Sequence, residues 1–260
     1  MGVRVAYLVA AGIAVAACLG VLVGCGGGAT FNEGRRAPWR GEAEQACLAS
    51  GAVQASAYVR PMEEIDGPGV CGLERPLRVS GLRGGNVGVS PPATIGCPLT
   101  AALDRWIAAS VQPAAQRYFG SRVVEITQIA SYSCRGRNGN NYGNISEHAF
   151  GNALDMAAFR LANGQNIVVV NAWGHGTARE QAFLQAVFAG ACAEFYTVLG
   201  PGSDSYHYNH IHVDLLVSNA RNGRHFCQPS PGRVPVAQAS ADPKTTASIR
   251  PIPFTGPAHN

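Results

Sequence analysis

The sequence predicts an α+β fold in which a small antiparallel sheet is flanked by helices and held by disulfides. Three observations support this class. Two segments place apolar residues at helical spacing, and several short segments alternate apolar and polar residues between Gly and Pro turns. Six cysteines also remain downstream of an N-terminal export signal. Helices that flank an antiparallel sheet define the α+β class.

Residues 1–24 are predicted to be a lipoprotein signal peptide. Arg4 gives a basic start, and residues 5–23 are almost entirely apolar. This pattern is typical of a secretory signal, although its length would also suit a membrane span. The motif Leu22-Val23-Gly24-Cys25 resembles the bacterial lipobox, which favours the signal peptide. We therefore expect cleavage before Cys25 and a lipid anchor on its sulfur.

The lipobox resemblance also predicts where the protein resides. The resemblance implies export and anchoring to a membrane that faces the periplasm. Gly26, rather than Asp, follows Cys25, and in a cell with two membranes this implies the outer membrane. Residues 25–45 are Gly-rich and polar and predict a linker. We expect one folded domain over residues 46–227, and a disordered, Pro-rich tail over residues 228–260.

The first half of the domain is predicted to begin with loops and then to form one helix and one strand. Residues 46–95 are broken repeatedly by Pro and Gly, which predicts a loop-rich lead-in. Apolar residues at helical spacing predict a helix over residues 100–120, which Pro113 must kink or split. Alternation predicts a strand over residues 123–129.

The second half is predicted to contain a hairpin, a long helix and a final strand. The turn dipeptide Asn163-Gly164 separates two strands. Thr177 and Glu180 form a capping box at the start of a helix with a continuous apolar face. The predicted bounds are 154–159 and 167–170 for the hairpin strands, 177–195 for the helix and 210–217 for the last strand.

The cysteines indicate disulfides rather than a sulfur metal site or a redox motif. Six cysteines remain after Cys18 leaves with the signal and Cys25 takes the lipid, and none lies in a Cys-x-x-Cys pair. We expect neighbours along the chain to pair. The expected pairs are Cys47 with Cys71, Cys97 with Cys134, and Cys192 with Cys227.

Composition excludes several function classes. The formal net charge is +4, and the arginines that supply it are scattered, so nothing indicates a nucleic-acid partner. A serine enzyme of the penicillin-binding type needs Ser-x-x-Lys, but the only lysine is Lys244 in the tail. A cysteine transpeptidase needs a free thiolate, and the even cysteine count leaves none. Neither of these two covalent chemistries is therefore supported by the sequence.

Two histidine-containing segments predict a metal site. The segment His210-Ile-His212-Val-Asp214 alternates strictly, so in a strand its two imidazoles and its carboxylate share one face. His148 lies shortly before Asp155, and Gly151 between them permits a tight turn. Histidine is the commonest metal ligand, and a catalytic zinc needs three protein ligands with one open position.

The two segments together resemble a known family. The pattern Ser146-x-His148-x-x-Gly-x-Ala-x-Asp155 followed by His210-x-His212 is similar to the zinc peptidase superfamily that includes D-alanyl-D-alanine carboxypeptidases, lysostaphin-like endopeptidases and the hedgehog signalling domain. With Ser131-Tyr-Ser-Cys134-Arg135 and Leu199-Gly-Pro-Gly-Ser203, the chain more closely resembles the bacterial extensin-like C-terminal domain family. The resemblance covers about residues 46 to 227.

The resemblance implies a role for each site residue. His148, Asp155 and His212 would bind Zn²⁺, and His210 beside the metal would polarise the scissile carbonyl or stabilise an oxyanion. The carboxypeptidases place a Glu shortly before the last ligand, and this chain has none there. Its His207-x-x-His210-x-His212 spacing is similar to that of the penicillin-insensitive murein endopeptidases, which favours His207 as the general base, with Asp204 as the alternative. Arg135 and Ser146 would contact substrate, Arg135 through a carboxylate.

Two functions of different classes follow as hypotheses. The first is zinc-dependent hydrolysis of peptide bonds in peptidoglycan, with D,D-endopeptidase action favoured over carboxypeptidase action. The second is a non-catalytic, zinc-containing module that binds the cell wall or a protein, because hedgehog domains resemble the same superfamily yet act as ligands. A binding module needs neither His207 nor His210, and both are present.

Overall fold

A computed structural model of the protein describes residues 36–140, 143–216 and 223–231. The predicted signal peptide, Cys25 as the predicted site of lipid attachment and nearly all of the predicted tail lie outside these residues. In the part of the chain that is described, no helix is both long enough and apolar enough to cross a membrane.

The described residues form five α-helices and eleven strands. The helices are α1 (Trp39–Ala49), α2 (Cys97–Trp106), α3 (Gln112–Phe119), α4 (Val169–Ala172) and α5 (Ala178–Glu194). The strands are β1 (Val59–Pro61), β2 (Ile65–Asp66), β3 (Gly72–Leu73), β4 (Leu77–Leu82), β5 (Val87–Ile95), β6 (Val123–Ala130), β7 (Ala153–Leu161), β8 (Asn166–Val168), β9 (Thr197–Leu199), β10 (Ile211–Asp214) and β11 (Phe226–Gln228).

Nine of these strands form one mixed sheet. Its order is β1-β4-β5-β6-β7-β10-β9-β11, and β8 also pairs with β7. Only the pairs β5–β6 and β9–β11 are parallel among the described strands. The edge of β7 opposite β6 is shared, because β10 pairs with its first residues, 153–156, and β8 pairs with its later residues, 158–160. β10, which comes later in the chain, therefore lies beside the first residues of β7.

The prediction of an α+β fold is confirmed, but the prediction of a small sheet is wrong. Residues 46–95 were expected to form loops, and they contain β1 to β5 instead. Gly81 lies at a shift of register in β4, and Pro91 lies where β5 is paired with neither neighbouring strand. Both residues signal a chain break in the sequence, whereas the sheet accommodates them as local irregularities.

The predicted linker over residues 25–45 also ends earlier than expected, because α1 begins at Trp39. The helix predicted over residues 100–120 forms in three parts. A π-helical turn at Ile107–Val111 joins α2 to α3, which carries Pro113 in its first turn. Proline is tolerated there because the first N–H groups of a helix have no partner within the helix.

The other long helix forms as its capping box predicts. The Thr177 side chain accepts a hydrogen bond from the Glu180 backbone N–H, and the Glu180 carboxylate accepts one from the Thr177 N–H at 2.8 Å. The apolar face of α5 is fully buried through Phe183, Leu184, Val187 and Phe188. It packs on the core side of the sheet, where Phe183 contacts Phe159 of β7 edge to face.

The three disulfides join Cys47 to Cys97, Cys71 to Cys134 and Cys192 to Cys227. Only the predicted Cys192–Cys227 pair is confirmed, and the other two predicted pairs are wrong. Proximity along the sequence does not predict these two pairs, because the tertiary fold brings Cys47 and Cys71 close to cysteines 50 and 63 residues later in the chain. Cys47 of α1 meets Cys97 at the start of α2, and Cys71 reaches the loop that follows β6.

Candidate metal centre

The site begins with the pairing of two strands. Asp155 of β7 and His212 of β10 are direct partners in the antiparallel ladder. Ile211 and Val213 on the opposite face of β10 are fully buried in the core, which leaves His212 and Asp214 together on the other face. The alternation in the sequence predicts this arrangement of faces.

His148 reaches the same place from a tight turn, Glu147–Phe150, that directly precedes β7. The Ser146 side chain accepts a hydrogen bond from the His148 backbone N–H and so caps the turn. Gly151 ends the turn in the left-handed conformation, with φ of 59°, and a Cβ there would lie 2.5 Å from Leu73 Cδ2. The backbone conformation therefore favours glycine at this position, and any other side chain would force Leu73 to shift.

Three potential ligand atoms converge from these elements. His212 Nδ1 lies 2.8 Å from Asp155 Oδ1 and 3.2 Å from His148 Nε2, and His148 Nε2 lies 3.2 Å from Asp155 Oδ1. Metal–ligand bonds of about 2.0–2.1 Å at tetrahedral angles place neighbouring ligand atoms about 3.3 Å apart. The side chains are thus close to the spacing that a small divalent cation requires, and the group could hold a metal ion.

The hydrogen bonds around the two histidines orient their rings for this role. His148 Nδ1–H donates to the backbone oxygen of Ser131 at 2.7 Å, which leaves Nε2 facing the site. His212 Nε2–H donates to Asp214 Oδ2 at 3.1 Å, which directs Nδ1 toward the site. Such outer partners fix the tautomer of a ligand histidine and increase its basicity. The donor set and its support therefore fit a metal.

Without a metal, the site is held together by a proton. Burial would raise the pKa of Asp155, but the charge of His148 and the close approach of His148, His210 and His212 hold that pKa well below its usual value. Burial would lower the pKa of His212, but hydrogen bonds to Asp155 and Asp214 raise it to about 10. The resulting Nδ1–H points to Asp155 Oδ1, among the same three atoms that could bind a cation. Proton and metal therefore compete for one position.

Two further histidines border the three potential ligands. His207 Nδ1–H donates to Asp204 Oδ1 at 2.7 Å, and its ring centroid lies 5.6 Å from that of His212. Burial lowers the pKa of His207, although its hydrogen bond to Asp204 acts in the opposite direction. His210 Nε2 is buried without a hydrogen bond in the described part of the chain, and it lies 3.4 Å from Asp155 Oδ1.

These groups line one open cavity of ≈ 330 Å³. Arg135 lines it, and its guanidinium lies 3.6 Å from Asp155 Oδ2. Arg137 adds a second positive charge that the sequence analysis did not single out, and it makes no ion pair within the described residues. The cavity therefore combines a polar floor with two cations. Apolar and aromatic side chains also line it: Leu199, Tyr206, Leu216 and Phe226.

The structure brings the predicted metal ligands, catalytic residues and substrate-binding residues together at this cavity. The potential metal ligands His148, Asp155 and His212 form its floor. The remaining predicted residues, Arg135, Ser146, His207 and His210, also line it. Asp204 contacts the site through His207.

Sequence reasoning missed two supporting groups. Asp214 was placed on the same face as His212 but was given no role, and its carboxylate accepts the outer hydrogen bond of that histidine. Its position two residues from a ligand in an alternating strand was the available signal. The Ser131 carbonyl offers no signal, because any residue type supplies the same backbone oxygen.

The raised pKa of His212 predicts how metal affinity depends on pH. A histidine with a pKa near 10 stays protonated at neutral pH, so each bound metal ion must displace about one proton. The apparent dissociation constant of Zn²⁺ should fall about tenfold for each pH unit from about pH 6.5 to pH 9. Competition with a chromophoric chelator, corrected for the chelator's own protonation, measures this. A plateau above about pH 7.5 would instead indicate an ordinary histidine and contradict the prediction.

The comparison with known protein families agrees with the motifs. The family described as "Extensin-like protein C-terminus" matches residues 45–228. No curated protein matches the chain, and no solved structure does. The matched residues include all three potential metal ligands and every residue of the cavity. Because the match covers most of the chain, the protein belongs to the family of the extensin-like protein C-terminus.

Proposed function

We propose that the protein is a zinc metallopeptidase that hydrolyses peptide bonds in peptidoglycan. The main support for the proposal is that three potential ligand atoms lie 2.8–3.2 Å apart in a cavity that contains two further histidines. His207 is oriented by Asp204, and His210 is buried with its Nε2 3.4 Å from Asp155 Oδ1. A site that only held a metal would not need the two additional histidines. The resemblance to zinc peptidases of the cell wall suggests the substrate.

The donor set supports zinc as the metal. His148, Asp155 and His212 would supply two imidazole nitrogens and one carboxylate oxygen, a set that catalytic zinc sites use. Bound zinc would supply a Lewis acid that polarises a carbonyl and lowers the pKa of water. The three side chains line an open cavity, where a substrate could approach such an ion.

His207 is the general base in this proposal. Its Nδ1–H is held by Asp204, so Nε2 carries the lone pair that can accept a proton. The lowered pKa of His207 keeps the ring neutral near pH 7. Asp204, the alternative base, already accepts hydrogen bonds at Oδ1 from the backbone N–H groups of Tyr206 and His207. That arrangement suits a carboxylate that orients His207 rather than one that receives the proton.

His210 and the two arginines bind and polarise substrate. A proton on His210 Nε2 can donate to a carbonyl oxygen in the cavity, provided that Nδ1 accepts from the Asn209 amide, whose oxygen and nitrogen are interchangeable by rotation. Arg135 and Arg137 suit the free carboxylates of stem peptides. Ser146 lines the same cavity, but its hydroxyl also caps the His148 turn.

We further propose that the protein acts on cross-links rather than on terminal D-alanine. The chain lacks the Glu that the carboxypeptidases place shortly before the last ligand, and its His207-x-x-His210-x-His212 spacing resembles that of the murein endopeptidases. A lipid on Cys25 would anchor the domain to a membrane that faces the periplasm, within reach of this substrate. The support for the anchor is the lipobox, which lies outside the described residues.

The function is tested by digestion of purified peptidoglycan with the lipid-free chain from residue 26. Mass spectrometry should show loss of cross-linked fragments, and a chelator should abolish it. His148→Ala should remove activity by deleting a metal ligand. His207→Ala should slow cleavage about 10²–10⁴-fold, the usual contribution of general acid–base catalysis, while zinc content is retained.

His175→Ala is the matched control, because this histidine is exposed and lies outside the cavity. It should leave cleavage unchanged. Loss of terminal alanine alone would make the protein a carboxypeptidase and would retain the metal assignment. A protein that carries zinc, binds the wall and cuts nothing would contradict the peptidase proposal and support the binding module.

The role of the two arginines predicts a preference for free carboxylates. Arg137→Gln should lower kcat/KM about 10–100-fold for a stem-peptide dimer with free carboxylates, because a charge-assisted hydrogen bond is lost. The same substitution should change kcat/KM little for the amidated dimer. Arg179→Gln, an exposed arginine of α5 outside the cavity, is the control. An equal loss for both dimers would show that Arg137 does not bind a carboxylate.

A further inference from the structure

The residue before the first potential ligand is a buried carboxylate. The Glu147 side chain is only 4% exposed, and it directly precedes His148. Its Oε1 accepts a hydrogen bond from Arg40 at 2.7 Å, and its Oε2 accepts one from Arg40 at 2.9 Å and one from Asn152 Nδ2 at 2.6 Å. One carboxylate thus joins the two ends of the turn that carries His148.

Its partner Arg40 comes from the other end of the domain. Arg40 belongs to α1, 107 residues earlier in the chain, and its side chain is 11% exposed. The guanidinium also lies over the Phe150 ring, 3.7 Å from the centroid. Arg40 therefore contacts the turn on both sides of His148, through Glu147 and through Phe150. The Cys47–Cys97 disulfide ties α1 to the start of α2.

A buried ion pair of this kind is a weak source of stability. The cost of removing two charges from water offsets most of their attraction, and apolar replacements of similar volume are often neutral or stabilising. What the bidentate geometry does provide is a fixed position for the turn. The backbone agrees, since Asn152 N–H donates to the Glu147 carbonyl at 3.1 Å within the same turn. This turn sets where His148 lies relative to Asp155 at the start of β7.

We propose that Arg40 and Glu147 are positioning residues of the metal centre, and that α1 acts through them to hold His148 Nε2 within reach of the other two ligands. The family match begins at residue 45, so Arg40 lies outside the matched segment. The inference uses the metal site of the proposed function but does not depend on hydrolysis. Its readout is the affinity of the folded protein for Zn²⁺.

The test is the double substitution Arg40→Met with Glu147→Gln. It removes both charges together, avoids an unpaired buried ion and keeps a side-chain oxygen at position 147 that can still accept from Asn152. In the chain from residue 26, the metal-free double variant should retain cooperative unfolding. Its dissociation constant for Zn²⁺, measured by chelator competition, should rise about 10–100-fold, the usual effect of removing an outer partner of a metal ligand.

The matched control is the same exchange on the exposed pair of Arg160 and Glu125, which join β7 to β6 through two hydrogen bonds. Arg160→Met with Glu125→Gln should leave Zn²⁺ affinity unchanged. If the Arg40 and Glu147 double variant does not fold, the dissociation constant for Zn²⁺ is measured on Arg40→Lys instead. Lysine keeps the charge and loses the bidentate geometry, so the same rise is expected. Zn²⁺ affinity within about twofold of the parent in a folded variant would make the pair merely structural and overturn the proposal.

Discussion

The antiparallel pairing of β7 with β10 is the constraint on which the rest of the site depends. It sets Asp155 directly opposite His212, and the pleat then forces both side chains out of the same face of the sheet. A shift of one residue would turn these polar groups into the core and bring Ile211 or Val213 out to the cavity. Because those apolar residues are fully buried, the core that stabilises the fold also fixes the register of the ligands.

The remaining polar groups follow from the cost of burying charge. A buried carboxylate needs compensation, and around Asp155 three histidines supply it. The histidines in turn need acceptors, which the Ser131 carbonyl and Asp214 provide. The potential ligands are thus held by a first set of hydrogen-bond partners. The Arg40–Glu147 pair, which links the His148 turn to α1, provides further support outside that set. This explains how elements distant in sequence contribute to one position.

The sequence predicts the inner part of this arrangement better than the outer part. The potential ligands fall in two short segments, so local spacing and strand alternation suffice to group His148, Asp155 and His212. Arg40 cannot be related to Glu147 in the same way, because 107 residues separate them and only the tertiary fold joins them. The same limit applies to the Cys47–Cys97 and Cys71–Cys134 disulfides. The size of the sheet could not be predicted for a different reason, since Pro91 and Gly81 indicate breaks that the sheet accommodates as local irregularities.

If His148, Asp155 and His212 form a metal centre, zinc should bind among these three side chains, and anomalous X-ray scattering can locate it. Crystals of the chain from residue 26, grown with one equivalent of Zn²⁺, would be measured on both sides of the zinc absorption edge. We expect a single strong anomalous peak about 2.0–2.2 Å from His148 Nε2, Asp155 Oδ1 and His212 Nδ1. An ordered cavity without such a peak, or zinc bound elsewhere while these three side chains keep their mutual hydrogen bonds, would contradict it.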